Sequence, residues 1–129
     1  MFDFLQEEKQ YNELISEQAL RTLKILEAAK SENSIFKYRG VKLALVYRPL
    51  TNFAIRQAMF ILNTDVKSMI EELGSTKIVK DTFNDLTTND ETNVAVDKKT
   101  FDLILISLTK KVSERIKQLD AKVAEVVVS

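Results

Sequence analysis

The chain has 129 residues, of which 19 are basic and 19 acidic, so its formal net charge is zero. Histidine and cysteine are both absent, which excludes disulfides, thiolate or imidazole metal ligation, and Ser-His-Asp or Cys-His nucleophiles. Two glycines and one proline favour a few long elements over many short strands, and no glycine-rich phosphate loop is present. We therefore expect one domain over residues 1–129 that is not an enzyme and binds no cofactor and no metal.

Two features bear on location. The first residues are acidic where a secretory signal carries basic charge, and the longest wholly apolar run, 58–62, is too short to cross a bilayer. A cytoplasmic protein without a membrane partner is expected.

Residues 3–31 have the period of an amphipathic helix, with charged side chains opposite an apolar face. That face is formed by Phe4, Tyr11, Leu14, Ile15, Ala19, Ile25, Leu26 and Ala29.

From residue 35 the period changes to two, and Arg39-Gly40 as a two-residue turn predicts a β-hairpin over 35–48. One face is apolar and is expected to lie against the helices. It comprises Phe36, Tyr38, Val41, Leu43, Leu45 and Tyr47. The other is largely basic and is expected to point outward, with Lys37 directly opposite Lys42. It comprises Ile35, Lys37, Lys42, Ala44, Val46 and Arg48.

Pro49 predicts the end of the hairpin, and Thr51 or Asn52 predicts the cap of a helix over 52–73 that stops at Gly74. The predicted core stripe of this central helix is Ile55, Ala58, Met59, Leu62, Val66, Met69, Ile70 and Leu73.

A short helix over 76–86 and a polar loop over 87–96 are predicted next. The apolar residues of the short helix are Ile78, Val79, Phe83 and Leu86. A long helix over 97–126 follows, and its first two turns are expected to be buried on several sides because they carry Leu103, Ile104 and Ile106 in addition to the stripe. The fold class predicted from these elements is α+β, mainly α.

Charge is sorted along the chain. Residues 33–64 carry five basic and no acidic side chains, whereas residues 65–97 carry eight acidic and three basic ones. The simplest interpretation is that the two regions meet, within one chain or between copies. The alternative is a small nucleic-acid-binding protein that uses the basic segment 37–56, with Tyr38 or Tyr47 stacking on bases. Its phosphate contacts would be Lys37, Lys42, Arg48 and Arg56. Expected burial of the aromatics and overall neutrality argue against it.

Two aromatics, Phe53 and Phe60, lie on the polar side of the central helix. They are either covered by another element, with the N-terminal helix as the favoured cover, or they form a docking spot. The three valines at 126–128 are also apolar, and they too are either covered or form a docking spot. The Phe53/Phe60 pair, the sorted charge and the open strand edges together predict a protein that binds other proteins and forms homo-oligomers. The candidate partner-binding residues are Phe53, Phe60, Arg56, Lys37, Lys42 and Arg48.

The run from Phe36 to Thr51, which reads FKYRGVKLALVYRPLT and leads into an amphipathic helix, resembles a pattern in tail-assembly and baseplate-hub chaperone-type proteins of tailed bacteriophages. The resemblance covers residues 35–62. It implies a non-enzymatic viral assembly factor, found in the host cytoplasm or the virion, that binds other phage proteins. Arg48, Pro49 and Thr51 would then be structural corner residues.

Overall fold

In the computed structural model of the protein, the backbone is described for residues 2–128 and the side chains for residues 6–124. The elements, in chain order, are α1 (Phe2–Ser31), β1 (Asn33–Tyr38), β2 (Val41–Tyr47), α2 (Arg48–Leu62), α3 (Val66–Glu72), α4 (Lys77–Thr87), β3 (Asn93–Asp97) and α5 (Lys98–Val128). The strands form an antiparallel sheet in the order β1-β2-β3. The predicted α+β, mainly α class with long terminal helices is confirmed.

The hydrophobic core lies where α1, α2 and α5 pack together and where α4 and α5 meet one face of the sheet. Its largest fully buried side chains come from all five helices and from β2, and include Leu26, Ile55, Phe83, Phe101 and Leu105. None of the described helices is both long and apolar enough to span a membrane.

The hairpin is confirmed with its turn and register. Arg39 and Gly40 both have positive φ, 51° and 80°, as the two central residues of a type I′ turn require. The strands pair with Tyr38 opposite Val41 and Lys37 opposite Lys42. The two-residue turn therefore fixes which side chains share a face.

The predicted orientation of the hairpin is wrong. Ala44 and Val46 of β2, together with Val96 of β3, form the buried face, and the aromatic face points outward. Small side chains on the buried face let α4 and α5 lie close to the sheet, whereas Lys37 and Lys42 sit beside the turn and stay exposed. Hydrophobicity alone therefore selected the wrong face.

The predicted central helix is divided into α2 and α3. Asn63 takes a left-handed conformation, φ 52° and ψ 50°, and its N–H donates to the carbonyl of Phe60. Asp65 then caps α3 by accepting a hydrogen bond from the Ser68 N–H at 2.8 Å. Helix α2 also begins earlier than predicted, at Arg48, with Pro49 in its first turn.

The predicted polar loop over 87–96 is wrong at its end, because residues 93–97 form β3 alongside β2. Helix α4 agrees with the predicted short helix, and Thr76 caps it through the Val79 N–H. The start of α5 is less enclosed than expected, since Leu103 and Ile106 are 45% and 50% exposed. The side chains of residues 126–128 lie outside the described residues.

The buried face of α1 is rotated from the predicted one in the N-terminal half of the helix. Tyr11 and Leu14 are 62% and 51% exposed, whereas Asn12 and Ser16 are buried. The Ser16 hydroxyl donates to the Asp120 carboxylate of α5 at 2.9 Å. Ser16 thus makes a polar contact between the two helices here, and the large side chains of Tyr11 and Leu14 remain outside.

Candidate functional site

The outer face of the sheet is apolar and open to solvent. We call it the open sheet face, and its residues are Phe36, Tyr38, Val41, Leu43, Leu45 and Tyr47. Five of the six are between 37% and 56% exposed, and Leu43 is half-buried. Phe36 lies opposite Leu43 and Tyr38 opposite Val41, so the side chains form one continuous surface over β1 and β2.

The edges of this surface are polar. On β3 the residues that share its face are Asn93, Ala95 and Asp97, opposite Tyr47, Leu45 and Leu43. The Arg39 guanidinium lies over the Tyr38 ring, 5.2 Å from its centroid. An apolar centre with a polar rim is the usual composition of a protein-binding patch.

Helix α4 borders the open sheet face on the β3 side. A groove between them is lined on α4 by Ile78, Asp81 and Asp85. On the sheet it is lined by Val41, Leu43, Ala95, Val96 and Asp97. Ile78 is 48% exposed. The apolar surface therefore continues from the sheet onto α4, where acidic side chains limit it.

Phe53 and Phe60 are 51% and 65% exposed, so the favoured prediction that α1 covers them is wrong. They flank a groove between α1 and α2 that also includes Arg21 and Ile25. Because α1 lies beside these rings and not over them, they form a second, smaller apolar spot.

Arg48 and Arg56 bind groups of their own chain. The Arg48 guanidinium lies 3.5 Å from the Asp90 carboxylate, and its side chain is only 13% exposed. Arg56 donates from Nε to Asn52 Oδ1 at 2.7 Å and from Nη2 to the Thr87 carbonyl at 3.2 Å. Arg56 holds α2 against the end of α4, and Arg48 holds it against the segment that follows α4. The basic and acidic regions therefore do meet through Arg48.

Lys37 and Lys42 are exposed on the opposite side of the hairpin from the open sheet face. Among the side chains of residues 6–124, no carboxylate is recorded within ion-pair distance of either ammonium. The structure therefore separates the six candidate residues into three places: the hairpin tip, the Arg48 and Arg56 contacts, and the Phe53/Phe60 spot.

Another charged groove lies between α3 and α5. Glu72, Lys111, Glu114 and Arg115 line it, and the Lys111 ammonium binds the Glu72 carboxylate. Within the described side chains, no three acidic groups come close enough together to hold a metal ion.

Sequence reasoning missed the open sheet face as a surface because it assigned the aromatic side of the hairpin to the core. The signal that could have found it is the pairing of small residues, Ala44 and Val46, with the short Val94-Ala95-Val96 run. A helix packs closely on such a face. The chain matches no family model, and no curated protein or solved structure is similar to it.

Proposed function

We propose that this chain is a non-enzymatic assembly component that binds another protein through the open sheet face. The observation that carries the proposal is the exposure of this face, with Tyr38 56% and Tyr47 52% exposed on one side of the three-stranded sheet. Leaving several large apolar side chains together in water is unfavourable, and such patches mark interaction sites. Tyrosine and phenylalanine are also enriched at the centres of protein interfaces.

The composition of the face favours a protein over a nucleic acid. Its centre is aliphatic, formed by Val41, Leu43 and Leu45, and aliphatic side chains offer no flat surface on which bases stack. The rim is acidic at Asp97, and the neighbouring groove adds Asp81 and Asp85. These carboxylates would repel a phosphate backbone.

Site-specific photocrosslinking tests the proposal. A benzophenone amino acid at Tyr47 should give covalent adducts in the cells that encode the protein, because this ring stands free on the open sheet face. The matched control places the same group at Lys110, an exposed position on α5. Adducts at Tyr47 that are destroyed by protease and resist nuclease are expected. Equal or no adducts at the two positions would contradict the proposal.

A second candidate is nucleic-acid binding, which one observation favours: Phe36, Tyr38 and Tyr47 are exposed, contrary to the expectation that spoke against this function. A salt titration of oligonucleotide binding tests it. Binding through phosphates would weaken steeply as salt rises, and Lys37→Gln would reduce that slope by about one. Absence of binding at low salt would remove this candidate.

We also propose a phage setting for the assembly role. Its support is the resemblance of residues 35–62 to phage tail-assembly and baseplate-hub chaperone-type proteins. Flanking genes for tail or capsid proteins would agree with this setting, and a purely cellular neighbourhood would contradict it.

A further inference from the structure

The free edge of β1 is the feature that the proposed function leaves unused. Strand β1 stands at the end of the sheet, and its extensive contacts are with β2. The type I′ turn makes Tyr38 and Val41 a hydrogen-bonded pair, so the backbone groups of Ser34, Phe36 and Tyr38 point to β2. The N–H and C=O groups of Asn33, Ile35 and Lys37 consequently point to the free edge.

We propose that this edge binds the same edge of a second copy of the chain. The two β1 strands pair antiparallel about a two-fold axis, with Ile35 opposite Ile35 of the second copy. The product is one continuous six-stranded sheet. This inference rests on the proposed assembly function and adds to it the second copy as a partner.

Backbone geometry selects this register. In an antiparallel pair, the residues whose backbone N–H and C=O groups point to the free edge must lie opposite one another on the two strands. Within β1, Asn33, Ile35 and Lys37 of one copy can therefore pair only with Asn33, Ile35 and Lys37 of the other. Centring the pair on Ile35 uses all three positions on both strands, which gives roughly six backbone hydrogen bonds. Any shift by two residues loses at least one of these pairs.

Charge favours the same register. Antiparallel pairing brings the Glu32 end of each β1 against the Lys37 and Arg39 end of the other, so opposite charges meet at both ends of the seam. Lys37 lies opposite Asn33 of the second copy and does not face its own equivalent. Edge lysines usually discourage strand pairing, and here Lys37 would penalise the registers that bring two lysines together.

The side chains gain from the pairing on both faces. Ile35 is 50% exposed in the single chain, and in the pair it contacts Ile35 of the second copy. On the outer face, Phe36 lies opposite Ser34 of the second copy, so the two open sheet faces join into one surface. A two-fold symmetric assembly would thus present a doubled apolar surface to its partner protein.

Cysteine crosslinking tests the register, because the chain contains no cysteine of its own. The variant Ile35→Cys places two thiols opposite each other, with Cα atoms about 5.5 Å apart in a hydrogen-bonded pair, within disulfide range. Mild oxidation should give a disulfide-linked dimer of the folded protein on a non-reducing gel.

The matched control is Lys37→Cys. Two such positions lie four residue steps apart in the proposed pair, about 14 Å, which is too far for a disulfide. A crosslinking rate at least about tenfold higher for Ile35→Cys is expected, given the distance limit. Equal rates, or no dimer from Ile35→Cys, would overturn the proposal.

A proline variant gives a second, independent measurement. Ile35→Pro removes an N–H that points to the free edge, so the single chain keeps its own β1–β2 hydrogen bonds. Sedimentation velocity should show the wild type at twice the 14.8 kDa of one chain and the variant at the mass of one chain. Far-UV circular dichroism should show unchanged helix content. A monomeric wild type at all concentrations, or a dimeric variant, would overturn the proposal.

The outcomes separate this inference from the proposed function. If Ile35→Cys fails to crosslink while Tyr47 still gives protein adducts, only the strand pairing is wrong. If Ile35→Cys crosslinks and Tyr47 gives no protein adducts, the pairing stands and the proposed binding role of the open sheet face is wrong.

Discussion

The two faces of the sheet differ in a way that reverses the usual expectation. The face against the helices carries small side chains such as Ala44, Val46 and Val96, and all three are at most 4% exposed. The open sheet face carries the larger and more apolar side chains, and Tyr38 and Tyr47 are more than half exposed. In this sheet the buried face is the one that the helices can approach closely, and the more hydrophobic face remains available for another molecule.

The largest effect that would test this comparison comes from a charge on each face. Val46→Asp places an ion in the core without a partner, and should lower the free energy of unfolding by at least about 3 kcal/mol. Leu45→Asp, one residue earlier on the open sheet face, should change it by about 1 kcal/mol or less. Urea unfolding followed by circular dichroism measures both. Similar losses for the two variants would show that the faces are not distinct.

A smaller effect tests why the buried face carries small side chains. Ala44→Leu adds volume between the sheet and the helices, and should cost about 1–3 kcal/mol of unfolding free energy. Ala95→Leu makes the same change on the exposed face and should be within about 0.5 kcal/mol of the wild type. The same denaturation experiment applies. Tolerance of leucine at both positions would mean that close helix packing does not decide which face is buried.

Local signals predicted most of the fold. The period of two and the Arg39-Gly40 turn predicted the hairpin, and Gly74 predicted the end of the helical segment that precedes α4. The division of the central helix at Asn63 was missed because the apolar stripe continues through it. The Asn63-Thr64-Asp65 run carries both a left-handed C-cap residue and an N-cap residue, and could have predicted the break.

The candidate site was less predictable, because it depends on packing between distant segments. Strand periodicity defines two faces without saying which one a helix covers, and that depends on α4, α5 and the missed strand β3. The same limit explains Arg48 and Arg56. They belong to a basic segment in the sequence, but Asp90 and Thr87 bind them in the fold. Lys37 and Lys42 remain exposed, as predicted.

The turn between the strands supports both faces equally, so changing it should alter stability without favouring either face. Gly40 has φ +80°, and apart from the glycine and its two chain neighbours no atom lies within 4 Å of where a Cβ would stand, so Gly40→Ala costs only backbone strain, about 1 kcal/mol. Arg39→Asn should raise the free energy of unfolding by a few tenths of a kcal/mol, because asparagine is favoured at this turn position. Thermal unfolding measures both. A stabilising Gly40→Ala would contradict the type I′ geometry.

The smallest expected effect concerns the ion pair between Asp90 and Arg48, which is the first residue after β2. The Thr92 N–H donates to Asp90 at 2.8 Å, and with the nearby Arg48 guanidinium it holds the pKa of Asp90 below the ordinary value of 3.8. Because the folded-state pKa is lowered, this carboxylate stabilises the fold above pH 3.8, and the contribution is lost as pH falls through the folded-state value. The gain is small because Asp90 is exposed and salt screens it.

The variant Asp90→Asn keeps an acceptor for Thr92 and removes the charge. Urea midpoints should therefore differ between wild type and variant at pH 7, and converge as the pH falls below 3.8 and through the lowered folded-state pKa, where the carboxylate of the wild type becomes protonated. Lys42→Gln, at an exposed lysine on the same side of the hairpin, should show no such convergence. A pH-independent difference for Asp90→Asn would mean that the hydrogen-bonding geometry of Asp90, and not its charge beside Arg48, fastens this corner of the sheet.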